Sequence, residues 1–110
     1  MPAADFLLEH MSRTLWDPVD TRLLGSLDPA LQARVNGEVY RFGSVATLER
    51  FRRDPARWAG ILRDPVSGVR FKVRRGAPRV DTKEGPYFFA AESTRRAFRA
   101  APETWAIHRL

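Results

Sequence analysis

Residues 87–98 read YFFAAESTRRAF, and a related stretch, YRFGSVATLERF, occupies residues 40–51. Tyr, Phe, Thr and a second Phe stand at the same places in both, 47 residues apart. On either side of these stretches, the same offset relates Asp17-Pro-Val to Asp64-Pro-Val and Trp58-Ala to Trp105-Ala. An ordered series that needs no gap predicts a tandem duplication. The predicted parts are an N-terminal helical segment, 1–16, a first unit, 17–63, and a second unit, 64–110.

Each unit is predicted to contain a β-hairpin. In the first, Asn36-Gly37 separates the apolar-rich segments 31–35 and 38–42, and Asn-Gly suits the positive φ angles of a type I′ turn. In the second, we expect Phe71 and Val73 on one strand and residues 87–89 on the other. The Lys83 to Pro86 stretch is typical of the approach to that last strand.

Short helices are predicted to follow each hairpin. Ser44 can cap the first through its hydroxyl, and Pro55 suits the first turn of a further helix carrying Trp58 and Ile61. The predicted fold class is α+β, with two small repeated units that share a core, plus the N-terminal helix. The expected core aromatic residues are Tyr40, Phe42, Phe51, Trp58, Tyr87, Phe89, Phe98 and Trp105.

Composition narrows the range of functions. The 110 residues contain no cysteine, which excludes disulfides, thiolate metal sites and cysteine nucleophiles. The formal net charge of +6 favours anionic partners. Nearly all of the basic residues are arginine, however, and a GC-rich genome would produce the same skew. Whether the arginine excess is functional or reflects genome bias is therefore open at this stage.

The repeated pattern resembles the YHS domain, a family related to treble-clef-like metal-binding modules. The second unit carries it as DPVSG, YFFAAESTRRAF and APETWA, and the first as DPVD, YRFGSVATLERF and DPARWA. The resemblance implies three cysteine positions per unit, which here are Asp20, Gly43 and Thr47 in the first and Ser67, Ala90 and Thr94 in the second. None is cysteine, so the resemblance predicts a retained fold, no structural metal and no cofactor.

Other residues could rebuild a metal site in only one way. His10, Met11 and His108 would form a soft-metal site if the chain termini met, which keeps a metal-handling protein among the alternatives. Met11 also continues the apolar face of the predicted N-terminal helix, and this is the simpler interpretation. Asp17 and Asp64 precede prolines, where an aspartate typically accepts a hydrogen bond from a nearby backbone N–H. We therefore predict that both form turns.

The sequence does not predict an enzyme. Its glycines are scattered rather than grouped in a phosphate-binding loop, and its two histidines lie in peripheral segments. No apolar run approaches the roughly 20 residues of a membrane-spanning helix, and the N-terminus lacks the features of a secretory signal. We expect a cytoplasmic protein without a membrane partner.

The favoured function is a non-catalytic accessory module that docks on a partner protein or larger assembly. By resemblance, YHS-like modules accompany larger machinery such as metal transporters and multicomponent oxygenases. The N-terminal helix could mediate docking or homodimerisation, or cover the first unit. The main alternative is a nucleic-acid-binding protein, because arginines cluster on both predicted long helices. The candidate partner- or anion-binding residues are Arg50, Arg53, Arg95, Arg96 and Arg99.

Overall fold

The computed structural model describes residues 15–105, which fall into two compact units. Among these residues, unit 1 comprises 15–33 and 38–54, and unit 2 comprises 34–37 and 55–105. Both units combine strands with short helices, so the predicted α+β class is confirmed. Unit 2 includes residues 34–37, which lie in the sequence between the two segments of unit 1. The predicted boundary between residues 63 and 64 therefore does not coincide with the division into units.

The secondary structure of the described residues is built from short elements. The strands are β1 (Gln32–Val35), β2 (Glu38–Arg41), β3 (Ile61–Arg63), β4 (Arg70–Lys72), β5 (Arg79–Thr82) and β6 (Gly85–Phe88). They form three two-stranded sheets, β1–β2, β3–β4 and β5–β6. The α-helices are α1 (Val45–Arg53), α2 (Pro55–Trp58), α3 (Glu92–Ala100) and α4 (Pro102–Trp105), and a 3-10 helix covers Pro29–Leu31.

Eight of these elements recur at the offset seen in the sequence. The bounds of β1, β2, α1 and α2 reappear 47 residues later as those of β5, β6, α3 and α4. The residues that follow the two long helices also have nearly the same backbone angles. Asp54 adopts φ −151° and ψ 67°, and Ala101 adopts φ −148° and ψ 64°. Equivalent local sequence thus produces equivalent local structure in the two halves of the chain.

The two hairpin turns are built differently. Asn36 and Gly37 have φ angles of 51° and 75°, and positive values at both positions are what a type I′ turn requires. At the equivalent place in the β5–β6 hairpin, Lys83 and Glu84 lack positive φ, and Gly85 has φ 113° instead. A Cβ atom at Gly85 would also lie 2.2 Å from the Arg34 carbonyl oxygen. Glycine is therefore required at residue 85 for two reasons.

Each unit buries a similar set of aromatic rings. In unit 1, the Phe51 ring lies between those of Tyr40 and Phe42, with centroid distances of 5.0 Å to each. In unit 2, the Phe98 ring lies 4.8 Å from Tyr87 and 5.3 Å from Phe89. All six side chains are at most 2% exposed. That the two sets share one core stays a prediction.

The two tryptophans predicted for the core are half-buried, unlike the six fully buried rings. The Arg57 guanidinium lies over the Trp58 ring, 4.6 Å from its centroid. Trp105 packs at the margin of the cluster formed by Tyr87, Phe89 and Phe98.

The predicted strand pairing in the second unit is wrong. Phe71 lies on β4, which pairs with β3, whereas residues 85–88 pair with β5. Ile61, expected on a helix, begins β3 because Gly60 adopts a positive φ of 74° directly after α2 and ends the helical region. Of the predicted N-terminal helix, only Leu15 and Trp16 are described, and Trp16 forms a β-bridge with Leu24. The remainder lies outside the described residues.

Candidate functional site

The Asp17 carboxylate joins two separate parts of unit 1. Its Oδ1 atom accepts hydrogen bonds from the backbone N–H groups of Val19 and Asp20, at 2.8 and 3.1 Å. Its Oδ2 atom accepts from the Gly43 backbone N–H at 2.9 Å and from the Thr47 hydroxyl at 2.5 Å. The side chain is fully buried. One carboxylate therefore connects, through hydrogen bonds, the turn after residue 17 with the junction between β2 and α1.

Asp64 repeats this arrangement in unit 2. Its Oδ1 accepts from the backbone N–H groups of Val66 and Ser67, at 2.9 and 3.1 Å. Its Oδ2 accepts from the Ala90 backbone N–H at 2.9 Å and from the Thr94 hydroxyl at 2.5 Å. Each partner lies 47 residues after its counterpart around Asp17. We call each group, an aspartate with its four donors, a carboxylate node.

Three donors of each node occupy the positions to which the YHS resemblance assigns cysteine. In unit 1 they are Asp20, Gly43 and Thr47, and in unit 2 they are Ser67, Ala90 and Thr94. Two of the three donate through the backbone, and the threonine donates its hydroxyl. The resemblance singled out these positions, but the sequence analysis did not identify the aspartate that connects them. The Asp-Pro pair was the available signal, because its side chain was expected to bond backbone N–H groups.

The residues of the nodes do not suit a metal ion. A Cβ atom at Gly43 would lie 2.9 Å from both Leu23 Cβ and the Leu24 carbonyl oxygen, so this position has no space for a ligating side chain. The Asp20 carboxylate is bound by the Arg22 guanidinium through two contacts of 2.9 Å. Among residues 15–105, no group of three or more histidine, aspartate or glutamate side chains could hold a metal ion. His10, Met11 and His108 lie outside the described residues.

Two carboxylates of these regions have lowered pKa values. At Asp64, burial raises the pKa, but hydrogen bonds from Thr94, Ala90, Ser67 and Val66 outweigh it, and the net pKa lies below the usual value. Side-chain and backbone hydrogen bonds from Arg22 lower the pKa of Asp20 to about 2. Both groups are therefore anionic near neutral pH and do not serve as general acids. The hydrogen bonds of each node connect segments of one unit that are distant in the sequence.

The candidate arginines divide between the two units. Arg50 and Arg53 are exposed on α1 of unit 1, and Arg95, Arg96 and Arg99 lie on α3 of unit 2. Arg95 binds both carboxylate oxygens of Glu92, and the Arg96 Nε atom lies 3.7 Å from the same group. Glu92 therefore offsets part of the positive charge of α3.

The positive charge of the described chain is concentrated in unit 2. Its described residues include twelve Arg and Lys against five Asp and Glu, a formal net charge of +7. The described residues of unit 1 include five against six, a net charge of −1. Composition of the whole chain conceals this asymmetry, because the two values partly cancel. An anionic partner is attracted by unit 2 and not by unit 1.

The β3–β4 hairpin carries a basic surface that the candidate arginines do not include. Arg70 and Lys72 alternate with Phe71 on β4, and both side chains are exposed. The pairing of β3 with β4 adds Arg63, which stands directly opposite Arg70. Sequence reasoning missed this residue because it assigned residue 61 and its neighbours to a helix. The alternation of Leu62 with Ile61 and Arg63 was the signal for a strand.

No helix among residues 15–105 is long and apolar enough to cross a membrane. Comparison of the chain with family models, with curated proteins and with solved structures finds no match. The resemblance to the YHS domain accordingly stays a prediction that rests on the repeated sequence motifs.

Proposed function

We propose that the chain is a non-catalytic accessory module that docks on an acidic partner protein or larger assembly. The observation that carries the proposal is the net charge of +7 on the described residues of unit 2, beside a net charge of −1 on unit 1. A concentration of positive charge in one unit steers that unit toward an anionic surface. The buried carboxylates support the same proposal, because their lone pairs are already used by donors within the fold.

Affinity capture tests this proposal. The tagged chain is incubated at physiological salt with nuclease-treated lysate of its source cells, and an unrelated folded protein of equal net charge serves as the control bait. We expect one acidic protein to be enriched over the control and to form a stoichiometric complex with the purified chain in size-exclusion chromatography. Equal recovery on both baits would mean that the chain attracts anions without recognising a partner.

Nucleic acid is the second candidate partner, and the same charge concentration favours it. Phosphate contacts predict affinity for a duplex that falls steeply as salt rises. Among the described residues of unit 2, however, every aromatic side chain is buried or half-buried, which leaves little ring surface for stacking on a base. Titration of labelled DNA and RNA at several salt concentrations separates the two candidates. Micromolar or tighter binding at physiological salt, with a steep salt dependence, would favour the nucleic-acid function.

A further inference from the structure

The β3–β4 hairpin of unit 2 presents an outer face with an unusual composition. The strands are antiparallel, and Ile61 pairs with Lys72 while Arg63 pairs with Arg70. Paired residues lie on the same side of a hairpin, and alternate residues of one strand also share a side. These four residues therefore form one surface, which we call the hairpin face. The opposite side carries Leu62, which is buried, and Phe71, which is half-buried.

The hairpin face lies in the most one-sidedly charged part of the chain. Residues 65–80 contain five Arg and Lys residues and no Asp or Glu. Arg70, Lys72 and Arg74 are all exposed, and Arg63 stands opposite Arg70. A group of cations without nearby acidic sequence neighbours attracts an anionic ligand.

Apolar side chains accompany these cations. Ile61, on the hairpin face, is 42% exposed, and Val69, next to Arg70, is 54% exposed. Phosphate groups make no use of aliphatic side chains, and the hairpin face carries no aromatic ring on which a base could stack. An acidic peptide with interspersed apolar residues uses both kinds of group. The surface therefore suits protein better than nucleic acid.

We propose that the hairpin face, continued by Arg74, binds an acidic peptide segment of the partner protein that also carries apolar residues. The inference rests on the proposed accessory function and adds the location and chemistry of the contact. The segment lies along the hairpin with its carboxylates against Arg63, Arg70 and Lys72. An apolar side chain of the segment covers Ile61.

Fluorescence anisotropy with defined probes tests the inference on the full chain. The main probe is a labelled 12-residue peptide of Glu-Glu-Leu repeats, and the comparison probes are Glu-Glu-Ser repeats and a 12-base-pair DNA duplex. We expect the Glu-Glu-Leu peptide to bind most tightly, because only it matches both cations and apolar side chains. Tighter binding of the DNA duplex, or no binding of the peptide, would overturn the inference.

Two double variants locate the contact. Arg70→Gln with Lys72→Gln removes two charges from the hairpin face, and Arg96→Gln with Arg99→Gln removes two from α3 of the same unit. We expect about a fivefold to tenfold loss of peptide affinity for the first, from two lost ion pairs, and less than about a twofold loss for the second. Equal losses, or a larger loss for the α3 variant, would overturn the inference. All four side chains are exposed, so both variants should melt near the temperature of the parent chain.

A third variant tests the apolar part. Ile61→Ser should weaken the Glu-Glu-Leu peptide by about threefold and leave the Glu-Glu-Ser peptide unchanged. The matched control is Val45→Ser on α1 of unit 1, an exposed aliphatic residue that is not part of the hairpin face. If Ile61→Ser binds the Glu-Glu-Leu peptide as tightly as the parent chain, or no more weakly than Val45→Ser does, apolar recognition by Ile61 is wrong.

Different experimental outcomes would contradict the binding site on the hairpin face and the accessory function. If a captured partner binds the Arg70→Gln, Lys72→Gln variant as tightly as the parent chain, the accessory function stands and the hairpin face is the wrong location. If the peptide binds the hairpin face but no partner protein is enriched over the basic control bait, the accessory function fails.

Discussion

The carboxylates of Asp17 and Asp64 each connect a turn with a strand–helix junction, using all four of their principal acceptor positions. The prediction that they form turns is confirmed by the bonds to Val19 and Val66. The second half of each node involves donors 26 and 30 residues away, which a local turn motif does not indicate. Hydrogen bonds to a charged and buried acceptor stabilise a fold more than bonds between neutral groups.

Asp64→Asn should lower the free energy of unfolding by about 2–3 kcal/mol at pH 7. The amide nitrogen cannot accept a hydrogen bond, so at least one donor of the node loses its partner inside the fold. Because the pKa of Asp64 is lower in the folded than in the unfolded chain, its stabilising effect is complete above about pH 4. The stabilising effect is lost as pH falls through the folded-state pKa of Asp64. The free energies of unfolding of the variant and the parent chain should therefore converge in that pH range. Urea unfolding between pH 7 and pH 3 measures the difference.

Asp81→Asn is the control for this charge removal. Asp81 is exposed and contacts only the Arg79 guanidinium among the contacts described, at 2.7 Å, so its loss should cost less than about 1 kcal/mol. An Asp64→Asn variant no less stable than Asp81→Asn at pH 7 would show that the node does not hold unit 2 together.

At the scale of the element, α1 and α3 differ in one informative respect. Ser44 precedes α1 and its Oγ atom accepts a hydrogen bond from the Thr47 backbone N–H at 3.2 Å. Ala91 precedes α3 with nearly the same backbone angles, φ −149° and ψ 156°, but has no side chain able to cap the helix. The backbone of residue 91 is therefore already arranged for a capping residue that the sequence does not supply.

Ala91→Ser should raise the free energy of unfolding by about 1 kcal/mol, and Ser44→Ala should lower it by a similar amount. The added hydroxyl accepts a hydrogen bond from the Thr94 backbone N–H, as Ser44 does from Thr47. Ala100→Ser, at the opposite end of α3, is the control and should be neutral or slightly destabilising. Thermal unfolding monitored by circular dichroism compares the variants. Equal changes for Ala91→Ser and Ala100→Ser would exclude capping as the cause.

The sequence predicted the elements that are coded locally and failed where pairing depended on distant partners. The Asn36-Gly37 turn, the Ser44 cap and both long helices follow from a few neighbouring residues, and all are present. The pairing of β3 with β4 could not be derived, because alternation over three residues indicates a strand but does not identify its partner. The candidate site shows the same division. The hydrogen bonds from the turn to each aspartate were predicted, and those from the strand–helix junction were not.

At the scale of the whole molecule, Asn36 connects parts of unit 2 that are far apart in the sequence. Its side-chain amide donates to the carbonyl oxygens of Arg63 and Phe88, at 2.9 Å each, and its Oδ1 accepts from the Phe88 backbone N–H at 2.7 Å. Its own backbone N–H donates to the Pro86 carbonyl oxygen at 3.0 Å. The residue is 2% exposed, so water does not readily replace these partners.

Asn36→Gly should lower the free energy of unfolding by at least about 3 kcal/mol, because three buried backbone groups lose their partners. Glycine tolerates the positive φ of this position, so the variant isolates the loss of the side chain from backbone strain. Lys83→Gly is the matched control, since residue 83 stands 47 positions later and is exposed. Chemical denaturation measures both. A loss for Asn36→Gly no larger than that for Lys83→Gly would contradict the connecting role of Asn36.

The position of Asn36 has a consequence for biosynthesis. Translation proceeds from the N-terminus, so the ribosome releases Asn36 about fifty residues before Phe88, the partner 52 positions away. Unit 2 consequently completes its folding against a turn that was synthesised with the first half of the chain. A nascent chain that stops before residue 86 has this turn but not the strand it binds, and its buried polar groups face water. Late pauses or premature termination should therefore yield chains that are open to proteases at the first hairpin as well as at the truncated end.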